Sequence, residues 1–178
     1  ARTLRALIGL GNVQRERGDH VAAIPVYEEA VAIARATRDQ AGECRALINL
    51  GTAHFRLGAL DNAEREYQAA LALSRRTGER SLECVVLTNL ANIEAAYDRD
   101  GSALALYHES LLLAQAIGDR DTEALALWSQ GELLLKQGKG EEALPLMDRA
   151  VAIERELDSP VAAEDARFVL ELRERLRQ

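Results

Sequence analysis

Residues 46–58 read ALINLGTAHFRLG, a good helix-forming stretch with a glycine, Gly51, in its middle. Glycine in a helix interior is unfavourable by about 1 kcal/mol relative to alanine, so Gly51 needs a packing reason. The stretch is not alone. LIGLGNVQRERGD (7–19), LINLGTAHFRLGA (47–59), LTNLANIEAAYDR (87–99) and LWSQGELLLKQGK (127–139) align at a constant offset of 40 residues. Leu7, Leu47, Leu87 and Leu127 superimpose, as do Gly11, Gly51, Ala91 and Gly131, and then Gly18, Gly58, Asp98 and Gly138.

The second half of each unit repeats too. Ala23, Ala63, Ala103 and Ala143 precede Tyr27, Tyr67, Tyr107 and Met147, which precede Ala30, Ala70, Ser110 and Ala150. Small, large, small at spacings of four and three is one face of an α-helix. Each unit is therefore two helices, expected near 1–17, 41–57, 81–97 and 121–137 for the first of each pair and near 20–36, 60–76, 100–116 and 140–156 for the second. Gly18-Asp19, Gly58 and Gly138 mark turns within units, and Arg38-Asp39, Gly78-Glu79 and Gly118-Asp119 mark turns between them. Glycine supplies a left-handed residue after a helix and aspartate caps the next one. Pro25 and Pro145 share a register inside second helices, where a late start or a kink is expected. Ser159-Pro160 reads as an N-cap followed by proline in the first helical position. The expected division is one domain with repeats 1–40, 41–80, 81–120 and 121–159 and a capping helix 160–178, in which Leu170 takes the Leu10 register and Glu171 replaces the small residue. In this reading Gly51 lies where two antiparallel helices cross, and the missing side chain lets their axes approach.

Leu-Gly at the close crossing, followed by an aromatic residue and two alanines on the next helix, resembles the tetratricopeptide repeat family over the whole chain. The usual unit has about 34 residues. The longer unit here is similar to the branch that includes Pins-type spindle-orientation scaffolds, kinesin light chain and the sensor arrays of bacterial STAND-type regulators. Gln130 in a Leu position and the thin Ala95-Ala96 pair depart from the pattern. The resemblance implies a right-handed α-solenoid that binds peptides or proteins in a concave groove lined by first helices. A regulatory or scaffold protein of bacterial type, of which this chain is a piece, is the implied context.

Composition agrees with helices and narrows function. Hydrophobic residues make up 48% of the 178 residues but aromatic ones only 4%, and three prolines are present. A formal charge of −7 gives no diffuse attraction to nucleic acid or to an anionic membrane. With no run of 18 apolar residues and no signal sequence, a soluble, cytoplasmic location is expected. Cys44 and Cys84 show no metal spacing and read as small buried residues. His20, His54 and His108 fall in different registers, and no phosphate-binding glycine loop occurs, so neither catalysis, a metal nor a cofactor is expected.

If Leu7, Leu10, Gly11, Gln14 and their images pack, the opposite face of each first helix is left for binding. It carries Arg5, Asn12, Arg15 and Glu16, then Arg45, Asn49, Phe55 and Arg56, then Thr88, Asn89 and Asn92, and finally Leu125, Trp128, Glu132 and Lys136. Arg5, Arg15, Arg45, Arg56 and Lys136 against Glu16 and Glu132 make this face positive within an acidic chain. Asn12, Asn49, Asn89 and Asn92 form a ladder of amides able both to donate to and accept from an extended backbone; similar asparagines in the resembling arrays hold ligand backbones, which supports the set. Solvated surface amides are the alternative. Trp128 beside Leu125 reads either as a ligand anchor or as a packing residue. Asn12 and Asn49 also match the clamp that grips a terminal carboxylate, but Ile8, Val85 and Asn89 stand where its basic residues belong, which sets that function aside. The expected partner is an acidic protein segment with a hydrophobic anchor. Self-association of the chain is the alternative, and arginines paired with Glu16 or Glu43 are the bland reading of the charges.

Overall fold

The computed structural model describes residues 2–177. Among them, nine α-helices follow one another without a strand: α1 (Arg2–Glu16), α2 (His20–Thr37), α3 (Gln40–Arg56), α4 (Leu60–Thr77), α5 (Arg80–Ala96), α6 (Asp100–Ile117), α7 (Arg120–Lys136), α8 (Gly140–Glu156) and α9 (Ala162–Leu176). Consecutive helices pair as helix-turn-helix repeats, each bound within two residues of its expected place; the expected ends at Ala1 and Gln178 lie outside the described residues. No helix among them is long and apolar enough to cross a membrane. Contacts divide the chain into two compact units, one running through Ile93 and the other from Glu94.

The turns work as their residues suggest. Asp19, Asp39 and Asp119 accept hydrogen bonds from the backbone amides of Ala22, Gly42 and Thr122 and so cap α2, α3 and α7. Glycine occupies most of the left-handed positions, but Arg38, Asp98 and Asp158 hold φ of 57°, 57° and 52°. α2 and α8 start at His20 and Gly140 and run on through Pro25 and Pro145, so no late start occurs. Both prolines are exposed, and the carbonyl that each leaves unpaired is on a wet face.

Gly51 has a more specific reason than close helix axes. A Cβ on it would lie 2.7 Å from Cε1 of Tyr67, so the tyrosine ring occupies the space that a side chain would take. Gly11 meets Tyr27 in the same way, and Gly131 meets Cγ of Met147, 2.6 Å from where its Cβ would be. The alanines on either side of these large residues are fully buried, as are Tyr27 and Met147, with Tyr67 1% exposed. An aromatic side chain buries on the order of 150 Å² or more, which at about 25 cal/mol per Å² contributes about 4 kcal/mol. That outweighs the propensity loss of about 1 kcal/mol at the glycine.

The last helix departs from the repeat. Ser159 does not cap it: the amide of Ser159 donates to the carbonyl of Glu154, Asp158 turns left-handed, and Ser159–Val161 form a turn before Ala162. The inserted turn breaks the 40-residue register. Leu170 is consequently 56% exposed, and Ala162, Val169 and Leu172 are buried instead. Their spacing, continued by the partly buried Ala166 and Leu176, keeps one stripe of α9 on the Met147–Val151 cluster.

Two substitutions test this account. Gly51→Leu should lower unfolding free energy by about 3 kcal/mol in denaturant titrations, and Tyr67→Ala in the same chain should recover part of that loss, as overpacking relieved by a cavity requires. Arg38→Gly should raise stability by about 0.5 kcal/mol, because relief of the left-handed strain exceeds the added chain entropy.

Candidate functional site

The binding face begins with the tyrosines. The Tyr27 hydroxyl emerges beside α1 and donates to Oδ1 of Asn12 at 2.8 Å, and Nδ2 of Asn49 donates to the same oxygen at 3.2 Å. One carbonyl thus joins α1, α2 and α3, leaving the amide nitrogen of Asn12 and the carbonyl of Asn49 for other partners. The Tyr67 hydroxyl repeats the arrangement one unit on, donating to Oγ1 of Thr52 at 3.1 Å. Burial pushes that phenol up to about 12, against the opposing pull of the Thr52 hydrogen bond and the positive fields of Arg56 and Arg15.

The expected cations of the first unit are open. Arg5, Arg45 and Arg56 are exposed and Arg15 is half-buried, and among the described residues no carboxylate lies within ion-pair distance of any of them. Glu43, the local partner considered for them, is taken by Arg35 at 2.8 Å. The contact belongs to the repeat: Arg75 meets Glu83 at 2.7 Å and Gln115 meets Glu123 at 3.1 Å, each joining the end of a second helix to the next first helix. Asn89 is half-buried with no hydrogen-bond partner among the described residues, whereas Asn92 is already engaged. Thr88, expected on the open face, is instead completely buried, and its hydroxyl donates to the carbonyl of Cys84. A short hydroxyl that can bond its own helix tolerates burial where Asn89 does not. Cys44 and Cys84 are buried free thiols, as their size suggests, and burial raises Cys44 to about 11.

In the second unit the expected residues separate. Lys136 is ion-paired with Asp98 and reaches toward the carbonyl of Ala95, while Gln137 donates to Asp100 at 2.9 Å, so both secure the turn before α6. Trp128 packs: its ring lies 5.8 Å from that of Phe168 at a tilt of 58°, and it touches the clusters around Leu127 and Met147. Leu135 joins the same packing, and Leu125 stays 47% exposed.

Two acidic features of this unit were not read from the sequence. Glu123 is 2% exposed and is held by Arg120 at 2.6 Å, Arg149 at 2.5 Å and Gln115. Burial works to raise its carboxyl, but these partners outweigh it and hold the group below the usual range. Glu154 has no such help. Burial first, and Asp165 beside it second, push its carboxyl up to about 7, and its Oε2 is sealed with no hydrogen-bond partner. Glu154 and Asp165 face a cavity of about 210 Å³ that Leu125, Trp128 and Asp121 also line. The sequence did hold a signal: Glu154 stands 120, 80 and 40 residues after Ala34, Ser74 and Ala114, all three fully buried small residues.

Comparison with known proteins agrees with the geometry. Tetratricopeptide repeat sequence models match residues 6–41, 44–77 and 101–159, together most of the chain. No curated protein matches it. Among solved structures, BtubC (BKLC) from P. vanneervenii is 22% identical, with a TM-score of 0.73 over 92% of this chain and 70% of that one. Aspartyl phosphate phosphatase F from Bacillus subtilis is 11% identical with a TM-score of 0.83, over 94% of this chain but only 44% of its own. A kinesin light chain-like protein of Podosopora anserina with nearly identical TPR-like repeats is 18% identical with a TM-score of 0.70, over 98% of this chain and 92% of that one. At such identities these likenesses speak for the fold alone. The repeated glycine-tyrosine seats, the sequential helix pairs and the matched sequence models lead to one conclusion, that the chain belongs to the tetratricopeptide repeat family, the helical repeats of protein–protein interaction modules.

Proposed function

We propose that the first unit binds an extended, acidic segment of a partner protein along its first helices. The observation that carries this reading is the set of arginines Arg5, Arg15, Arg45 and Arg56 left without a carboxylate while Arg35 and Arg75 have theirs. Four arginines against Glu16 and the Arg35-paired Glu43 on α1 and α3 are a local reversal of sign in a chain whose net charge is −7. Such a patch attracts carboxylates at a distance and, through guanidinium forks, binds them with paired hydrogen bonds.

The amides complete the reading. Asn12 and Asn49, oriented by Tyr27, offer one donor and one acceptor, and Asn89 offers both to a peptide backbone. Lys136 and Leu125 lie in the second unit and are left out of this site; Asp98 already neutralises Lys136. A larger cytoplasmic regulatory or scaffold protein is the context that suits such a module. Self-association is a second reading, favoured by the exposed Leu10, Val13 and Val21 on the first two helices; it predicts a mass that rises with concentration in light scattering.

Binding of capped, extended peptides of graded Glu content, followed by fluorescence anisotropy, tests the proposal. Affinity should rise with Glu content and fall with salt. Arg45→Glu with Arg56→Glu should slow association and flatten the salt dependence, and an unchanged salt slope would sink the acidic-partner reading. Asn89→Ala should weaken the best peptide by about 0.5–1.5 kcal/mol, the net scale of one hydrogen bond, with little change in melting temperature. A large drop in melting temperature with unchanged affinity would make that amide structural.

A further inference from the structure

Glu154 occupies a position at which the other units bury alanine or serine. It is 8% exposed, one of its oxygens is hydrogen-bonded with Asp165, and the other finds no donor. A carboxylate this deeply buried is unfavourable unless a cation or a proton meets it. Among the described residues no cation is ion-paired with it; Arg155 and Arg167 line the adjoining cavity that shares Ser159. The ionisable groups that share its own cavity or act on the pair are acidic: Asp121 and Glu132 on α7 and Glu164 beside Asp165 on α9. Glu123, by contrast, is just as buried and has recruited Arg120 and Arg149.

Ala124, Leu125 and Trp128 from α7, Leu157 just after α8 and Val161 just before α9 give the cavity of about 210 Å³ its apolar part, and Ser159 and Asp121 also line it. Glu132 accepts a hydrogen bond from the Trp128 indole and so fixes the ring. Two adjoining carboxyls beside an indole match one chemistry closely. A guanidinium is planar, donates in a fork to two acceptors, stacks on aromatic rings and carries its charge at every relevant pH. We propose that this cavity is a receptor for the guanidinium of an arginine side chain on a bound protein segment, bridging Asp165 and the Glu154 oxygen that pairs with it, not the sealed Oε2, and lying against Trp128. A free arginine molecule fits less well, because its own carboxylate would approach Asp121 and Glu164. The site lies wholly within the second unit and does not depend on the acidic-segment reading of the first.

Trp128 is the only tryptophan, so its fluorescence reports on the cavity directly. The probes are N-acetyl-arginine methylamide, the neutral citrulline methylamide of the same shape, and free arginine. The capped arginine should give a saturable change with Kd on the order of 1 mM, suited to a single side chain. Citrulline methylamide and free arginine should each bind at least tenfold more weakly. Glu154→Gln and Asp165→Asn should each weaken the capped arginine at least tenfold while keeping the helical circular dichroism of the parent. Binding should strengthen as pH rises from about 5 to 8, since protons and guanidinium compete for the same pair. Equal binding of citrulline methylamide, an unaffected Glu154→Gln or Asp165→Asn variant, or no saturable signal with the capped arginine would overturn the proposal. Free arginine binding as tightly as the capped form would overturn the protein-segment source and leave a small-molecule guanidinium site.

Discussion

Three of the four repeats depend on a large side chain seated on an absent one, and the third has Ala91 in that place. Tyr67 fills the space over Gly51, Tyr27 that over Gly11 and Met147 that over Gly131. The seat works only if the residues one turn before and after it on the same helix are small, and Ala23, Ala30, Ala63, Ala70, Ala143 and Ala150 all have no exposure. Packing of this kind is satisfied between neighbouring helices and asks nothing of the outward face. The open positions are therefore released from stability and are free to differ from unit to unit.

That release explains how one repeat carries two opposed electrostatic characters. The junction between successive repeats recurs in form, as Arg35–Glu43, Arg75–Glu83 and Gln115–Glu123, and it absorbs local charge. Where glutamine replaces the arginine, Glu123 draws in Arg120 and Arg149 instead. Arg5, Arg15, Arg45 and Arg56 in the first unit stay open, while Glu154 and Asp165 in the second form an acidic pair with no cation among the described residues. The arginines lie on outward positions, whereas Glu154 stands at a register position that the other repeats fill with small buried residues.

The tyrosine hydroxyls link packing to the face proposed for binding. The ring of Tyr27 is core, but its hydroxyl reaches the open face and orients Asn12, which in turn orients Asn49. A buried, rigid ring holds a surface amide in one geometry, which lowers the entropy lost when a ligand binds. Tyr67 performs the same service for Thr52.

Helix order and the turn positions up to α8 were readable from the 40-residue register, because backbone propensity, glycine punctuation and periodicity are local properties; the turn before α9 was not. The exposure of Arg5, Arg45 and Arg56 was readable too, since it follows from counting positions around a helix. What counting missed depends on through-space contacts. Thr88 went inward because its hydroxyl bonds the carbonyl of Cys84, and Lys136 was claimed by Asp98, a residue 38 positions away. Trp128 was ambiguous until the turn at Ser159–Val161 set the face of α9 and brought Phe168 against it. The pairing of Glu154 with Asp165 joins two helices whose register the sequence repeat does not share, so only the tertiary structure could decide it.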